Sequence, residues 1–155
     1  MLQQAIHADL NILDTVIAKE IGYHDVAEEI LTEYPPWMDS SFFTVDAGLL
    51  SGLIESNAHD PSVVVGRMAT GEKFIDNHGR EDIIASCNPL CVDMETASIV
   101  HVCYINRIPF SAIRTISDTP KESGNEVFKK NCQCAGKKSV IVLRRYLDSI
   151  LIIKP

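Results

Sequence analysis

Two acidic residues stand at positions where the chain can use them for chemistry. Asp118, preceded by Ser117, directly follows the apolar run Phe110–Ile116 and opens the polar loop Ser117–Asn125 (SDTPKESGN). In open α/β sheets ligands bind beyond the carboxyl ends of strands, so a Ser-Asp pair at such an end is a candidate site. The same two residues also suit a plain turn or cap after a strand. Glu95, preceded by Met94, opens a helical pattern. A first-turn acid is favoured there by the helix dipole alone, and its neighbour Asp93 fits that plain role better. A carboxyl raised by burial can act as a general acid. A carboxylate can instead accept hydrogen bonds and stabilise developing positive charge. Arg114 lies inside an apolar strand and needs a partner there, which makes it structural. His24, in Tyr23-His24-Asp25, reads as a fixed loop histidine rather than a base.

The metal alternative is weak. Cys132-x-Cys134 and Cys87-x₃-Cys91 are poorly spaced for a four-thiolate zinc site. The sequence holds no P-loop, GxGxxG or HExxH. The five cysteines form an odd set, which reads as free thiols in a reducing, cytoplasmic setting.

Apolar runs and helical patterns alternate along the chain. Thr15–Ala18, Ser62–Met68, Pro89–Val92 and Phe110–Ile116 read as strands, continuous rather than alternating, as in a sheet covered on both faces. Val45–Ser56, Met94–Asn106 and Asn125–Ile153 carry apolar stripes at helical spacing. Glu33–Ser41 (EYPPWMDSS), with the single tryptophan, reads as a loop. The fold class is therefore α/β, with a central mostly parallel or mixed sheet between helical layers. The 155 residues suit one domain, 1–155. A sheet of about four strands is small for this class, and no βα unit precedes the first strand, so the chain reads as truncated at its N-terminus.

Composition narrows the partners. The chain is 46% hydrophobic and 23% charged, an ordinary globular balance. Its net charge of −7 disfavours a nucleic-acid binder that neutralises phosphates and leaves a small nucleoside ligand open. Neither a secretory leader nor an apolar stretch of bilayer length stands out, so no membrane partner is expected.

VVVGRMATGEKFI (Val63–Ile75), CVDMETASIVHVCYINRIPF (Cys91–Phe110), SAIRTISD (Ser111–Asp118) and, more weakly, DTVIAKEIGYHDV (Asp14–Val26) carry a family likeness in order and spacing. Together they resemble the 5′-methylthioadenosine/S-adenosylhomocysteine nucleosidases of the nucleoside phosphorylase superfamily. The likeness runs from about Ala5 to the end and covers roughly the C-terminal two-thirds of a family domain. Glu72 stands where the nucleosidases carry Asp. The resemblance implies a three-layer phosphorylase/hydrolase-like domain that cleaves an N-glycosidic bond with water and needs no cofactor and no metal. It implies Asp118 as the catalytic acid on purine nitrogen 7, oriented by Ser117. It implies Glu95 on the ribose hydroxyls, Met94 against the sugar, and Phe74 and Ile75 on adenine, Phe74 by stacking and Ile75 through its backbone. The plain alternative for Phe74 and Ile75 is an ordinary core pair after a glycine turn. It implies a homodimer, with Pro36, Trp37 and Phe42 as candidates for a loop closing over the neighbouring subunit's pocket; the plain alternative is a surface loop with one buried tryptophan. Two rivals remain: a phosphate-using nucleoside phosphorylase, and a non-catalytic nucleoside-binding or structural remnant. The remnant is kept because the segment bearing the family's water-activating acid is not in this sequence.

Overall fold

A computed structural model describes residues 4–7, 9–73, 75, 77–122 and 124–152. Among them run β1 (Gln4–Ala5), β2 (Thr15–Tyr23), α1 (Glu28–Thr32), β3 (Phe42–Thr44), α2 (Ala47–Asn57), β4 (Val63–Thr70), α3 (Asn77–Cys87), β5 (Cys91–Asp93), α4 (Thr96–Ile105), β6 (Ile113–Thr115) and α5 (Asn125–Ile152). The strands form one mixed sheet in the order β1-β5-β4-β2-β3, with β6 also on β2. β2, β4 and β5 are parallel; β1, β3 and β6 run against their partners. The expected α/β class with a mixed sheet is what forms, with six strands among the described residues where about four were read.

The differences have local causes. β2 continues past Ala18 through the charged pair Lys19-Glu20, which had read as a strand end. Lys19 is bulged out of the β2–β4 register, and Glu20 then faces Arg67 at 2.8 Å. A bulge shifts the alternation by one residue, which brings Ile21 into the core with Val16 and Ala18. Phe110–Ile116 yields only three strand residues, and these are antiparallel to β2. β1 and β3 are too short to show a period, and α3 (NHGREDIIASC) is too polar to show a stripe.

Two apolar clusters cover the sheet. One holds Ile21, Phe43, Met68 and Cys91 with Ala97 and Val100 of α4 and Leu31 of α1. The other holds Ile6, Ala69 and Val92 with Ile83 and Cys87 of α3. The sheet also curls. Past β6, Ile116 donates to the Asp14 carbonyl at 2.8 Å and accepts from the Leu13 N–H at 2.9 Å. Two residues later Asp118 bridges Gln4 in parallel. One short run thus connects the β2 side of the sheet to β1.

α5 is fixed against α2. The Asp60 carboxylate, just past α2, accepts from Lys138 Nζ and Arg145 Nη1, each at 2.7 Å. Asn57 Nδ2 donates to the Val142 carbonyl at 3.1 Å, and Gly52 leaves room for the Tyr146 ring. These bonds matter to the site because Asn131 of α5 donates to the Ser117 carbonyl at 3.0 Å. The Arg145 and Lys138 cations hold the Asp60 carboxyl well below its ordinary range. Asp60→Ala is expected to lower stability by about 1–2 kcal/mol, read as a shifted urea midpoint at pH 7. A lowered carboxyl stabilises above its unfolded pKa and loses that contribution as pH falls. The gap between variant and parent should therefore close in acid.

Candidate active site

The strand register places one row of residues on one face. Phe42 pairs Gly22, Gly22 pairs Ala69, Ala69 pairs Val92, Val92 pairs Gln4, and Gln4 bridges Asp118. Directly paired residues send their side chains to the same face. Ile75 is buried against this row, in one cluster with Ile6, Ala69 and Val92. Asp118 therefore shares a sheet face with Ile75, one of the two expected adenine contacts. Phe74, the other, lies outside the described residues.

Asp118 is fully buried. Ser117 Oγ donates to its Oδ1 at 2.8 Å, and the Ala5 N–H holds its carbonyl at 3.0 Å. Its Oδ2 is buried without a partner among the described residues. Burial pushes the carboxyl above its ordinary range, and the Ser117 hydrogen bond offsets only part of that. In its protonated form, a carboxyl with one bonded and one open oxygen can donate a proton to a base that reaches it.

Glu95 arrives from the next strand but one. The backbone of Asp118 lies two ladder spacings from Val92, about 10 Å, and β5 runs on from Val92 through Asp93 to Met94 and Glu95. Asp93 organises this turn. Its Oδ1 accepts from Thr70 Oγ1 at 2.6 Å, from the Glu95 N–H at 3.3 Å and from the Thr96 N–H at 3.1 Å. Its Oδ2 accepts from Thr96 Oγ1 and from Arg114 Nε, the latter at 2.9 Å. Asp93 thus caps α4 and partners Arg114, the structural role expected of both. Met94 and Glu95 are left half-buried, and among the described residues the Glu95 carboxylate makes one long bond, to the Met94 N–H at 3.3 Å. A carboxylate so lightly engaged can accept ligand hydroxyls.

The segment before Ile75 is pinned from β2. His24 N–H donates to the Thr70 carbonyl, Gly71 N–H to the Asp93 carbonyl, and Glu72 N–H to Asp25 Oδ2 at 2.7 Å. His24 is thus fixed beside Gly71, as expected, and burial lowers its pKa. A Cβ at Gly71 would run into the His24 ring and lie 2.8 Å from Asp25 Oδ2. Gly71→Ala is expected to destabilise by about 1–3 kcal/mol through overpacking, read by calorimetry as a lowered melting temperature.

Other expectations resolve differently. Trp37 is 67% exposed, so the loop's buried residue is Met38, not the tryptophan. Phe42 sits in β3 under the Arg67 guanidinium, 3.9 Å from the ring centroid. A cavity of about 330 Å³ opens between α4, β6 and α5, walled by Ile99, Val100, Ile113, Val140 and Leu143 and away from Asp118. Thr70, Asn131 and Gln4 carry no local signal in the sequence. Each acts through a partner distant in the chain, and none belongs to a local pattern.

A parallel-centred mixed sheet with a buried acid past one strand end puts the candidate site where open α/β sheets bind ligands. Residues 5–148 match the family described as the Phosphorylase superfamily, and the chain belongs to that superfamily. It is 33% identical over 149 residues to a 5′-methylthioadenosine/S-adenosylhomocysteine nucleosidase of Geobacillus sp. (strain WCH70), covering 91% of this chain and 63% of that protein. It is 25% identical over 146 residues to an aminodeoxyfutalosine nucleosidase of Helicobacter pylori (strain J99), covering 92% and 64%. Among solved structures, the S-adenosylhomocysteine nucleosidase of Streptococcus pyogenes in complex with 5-methylthiotubericidin superposes with a TM-score of 0.83 at 25% identity, covering 96% of this chain and 65% of that one. The chain thus spans just under two-thirds of the length of these relatives.

Proposed function

We propose that the chain's site serves hydrolysis of the N-glycosidic bond of 5′-methylthioadenosine or S-adenosylhomocysteine, releasing adenine. The observation that carries this reading is Asp118: fully buried, raised in pKa, bonded by Ser117 on one oxygen and open on the other. The adenine anion leaves poorly, so protonating the purine at nitrogen 7 as the bond breaks lowers the barrier. Asp118 supplies that proton and Ser117 fixes its carboxyl. Glu95, brought in just past β5, accepts bonds from the ribose hydroxyls and offsets charge on the oxocarbenium sugar. Met94 packs on the sugar, and Phe74 and Ile75 hold the base. The nucleophile is water, and the reading calls for neither metal nor cofactor.

The named activities of the Geobacillus and Helicobacter relatives support the reaction class. They differ in the nucleoside named, so the 5′-substituent is the less constrained part of the proposal. A homodimer and a cytoplasmic setting belong to the same reading. The family likeness and five free thiols favour them.

The test is adenine release from methylthioadenosine by the purified chain in phosphate-free buffer, followed by chromatography. Release independent of phosphate supports hydrolysis. Release that requires phosphate or arsenate makes the chain a phosphorylase. Adenine binding with no turnover makes it a nucleoside-binding protein.

A further inference from the structure

Gln4 is the remaining polar side chain in the row that ends at Asp118. It lies between Val92 and Asp118 and shares their face. It is only 4% exposed, yet its Oε1 is buried with no hydrogen-bond partner among the described residues. The same is true of Oδ2 on Asp118, the residue it bridges. Buried carbonyl oxygens are nearly always paired, so one without a donor calls for an explanation. Two such atoms on bridged residues, on the face that carries Ile75, define one place where a ligand with adjacent polar atoms would satisfy both.

We propose that Gln4 is a base-recognition residue: its carboxamide takes the exocyclic 6-amino group of a purine whose nitrogen 7 meets Asp118. This inference rests on the adenine-releasing reading above and adds a specificity residue to it. The chemistry matches. The 6-amino group and nitrogen 7 are neighbours on one edge of adenine, and a carboxamide is well suited to that edge. With Asp118 on nitrogen 7, the Gln4 oxygen is left to accept from the amino group. Purine itself, which lacks the 6-substituent, would satisfy Asp118 and leave Gln4 as it is.

Calorimetric titration of the full chain with adenine and with purine separates the outcomes. The parent should bind adenine more tightly than purine. Gln4→Leu should weaken adenine by about tenfold or more, the loss expected for one buried hydrogen bond to a base, and leave purine unchanged. Its melting temperature should hold or rise, because an unpaired buried oxygen has been removed. Should Gln4→Leu fail to fold, Gln4→Asn is read in the same way, since it keeps the amide but withdraws it by one methylene. Equal losses for adenine and purine, or no loss for either, would overturn the role of Gln4 while leaving the base site standing. A parent chain that binds neither would overturn the base site and this inference together.

Discussion

Asp118→Asn should fold like the parent and lose turnover by about 10²- to 10⁴-fold, the usual contribution of a positioned general acid. The substitution keeps size and shape and lets Ser117 Oγ keep its partner. It removes the transferable proton. Stability should hold or rise, because an acid that burial has pushed up is costly to ionise. The sign of the pH effect follows. A group whose folded pKa is raised contributes fully below its unfolded pKa and loses that contribution as pH rises through the folded value. As the proton donor of the proposed reaction Asp118 works only while protonated, so turnover by the parent should fall on the alkaline side as it ionises. In the Asn variant the residual rate should lose that limb. Adenine release across a pH series, with melting curves alongside, checks both. A variant with parental rate would remove Asp118 from the chemistry.

Asp93→Ala should be the most destabilising single change at the site, at about 3–5 kcal/mol, the cost of stranding one member of a buried ion pair. Arg114 would lose its carboxylate in surroundings where its side chain is 15% exposed. Thr70, Thr96 and the N–H groups that begin α4 would lose their common acceptor. Burial pushes the Asp93 carboxyl up, but the hydrogen bonds from Thr70, Thr96 and Arg114 and the Arg114 charge outweigh it, leaving it below its ordinary range. Its contribution is present above the unfolded pKa and is lost as pH falls through the folded value. Denaturant melts at neutral and acid pH should show a large gap that narrows in acid. Pairing Asp93→Ala with Arg114→Leu should recover part of the loss, since the double variant buries no lone charge.

The candidate site is more legible in the sequence than the residues that support it. Ser117-Asp118 and Met94-Glu95 stood out because each follows an apolar run and matches a family motif. Arg114 stood out because a cation inside a strand must find a partner, and Asp93 is that partner. The residues that escaped notice are those whose role exists only after folding. Gln4 looks like an ordinary polar residue until the sheet sets it between Val92 and Asp118. Lys19-Glu20 read as a strand end because nothing local announces that Arg67 waits across the ladder. The helix α3 had no stripe to read, since among its described side chains Ile83, Ile84 and Cys87 alone reach the second cluster. Tertiary packing, not local propensity, makes these elements.

The short run from Ile116 to Asp118 spans the gap between two edges of one curled sheet. Its length is a constraint of geometry rather than of composition. Side chains alternate across a strand, so one residue gained or lost there would swing the Asp118 carboxyl away from Gln4 and Ile75 and into the opposite layer. A run buried at all three positions thus behaves as a measured spacer, rigid in count.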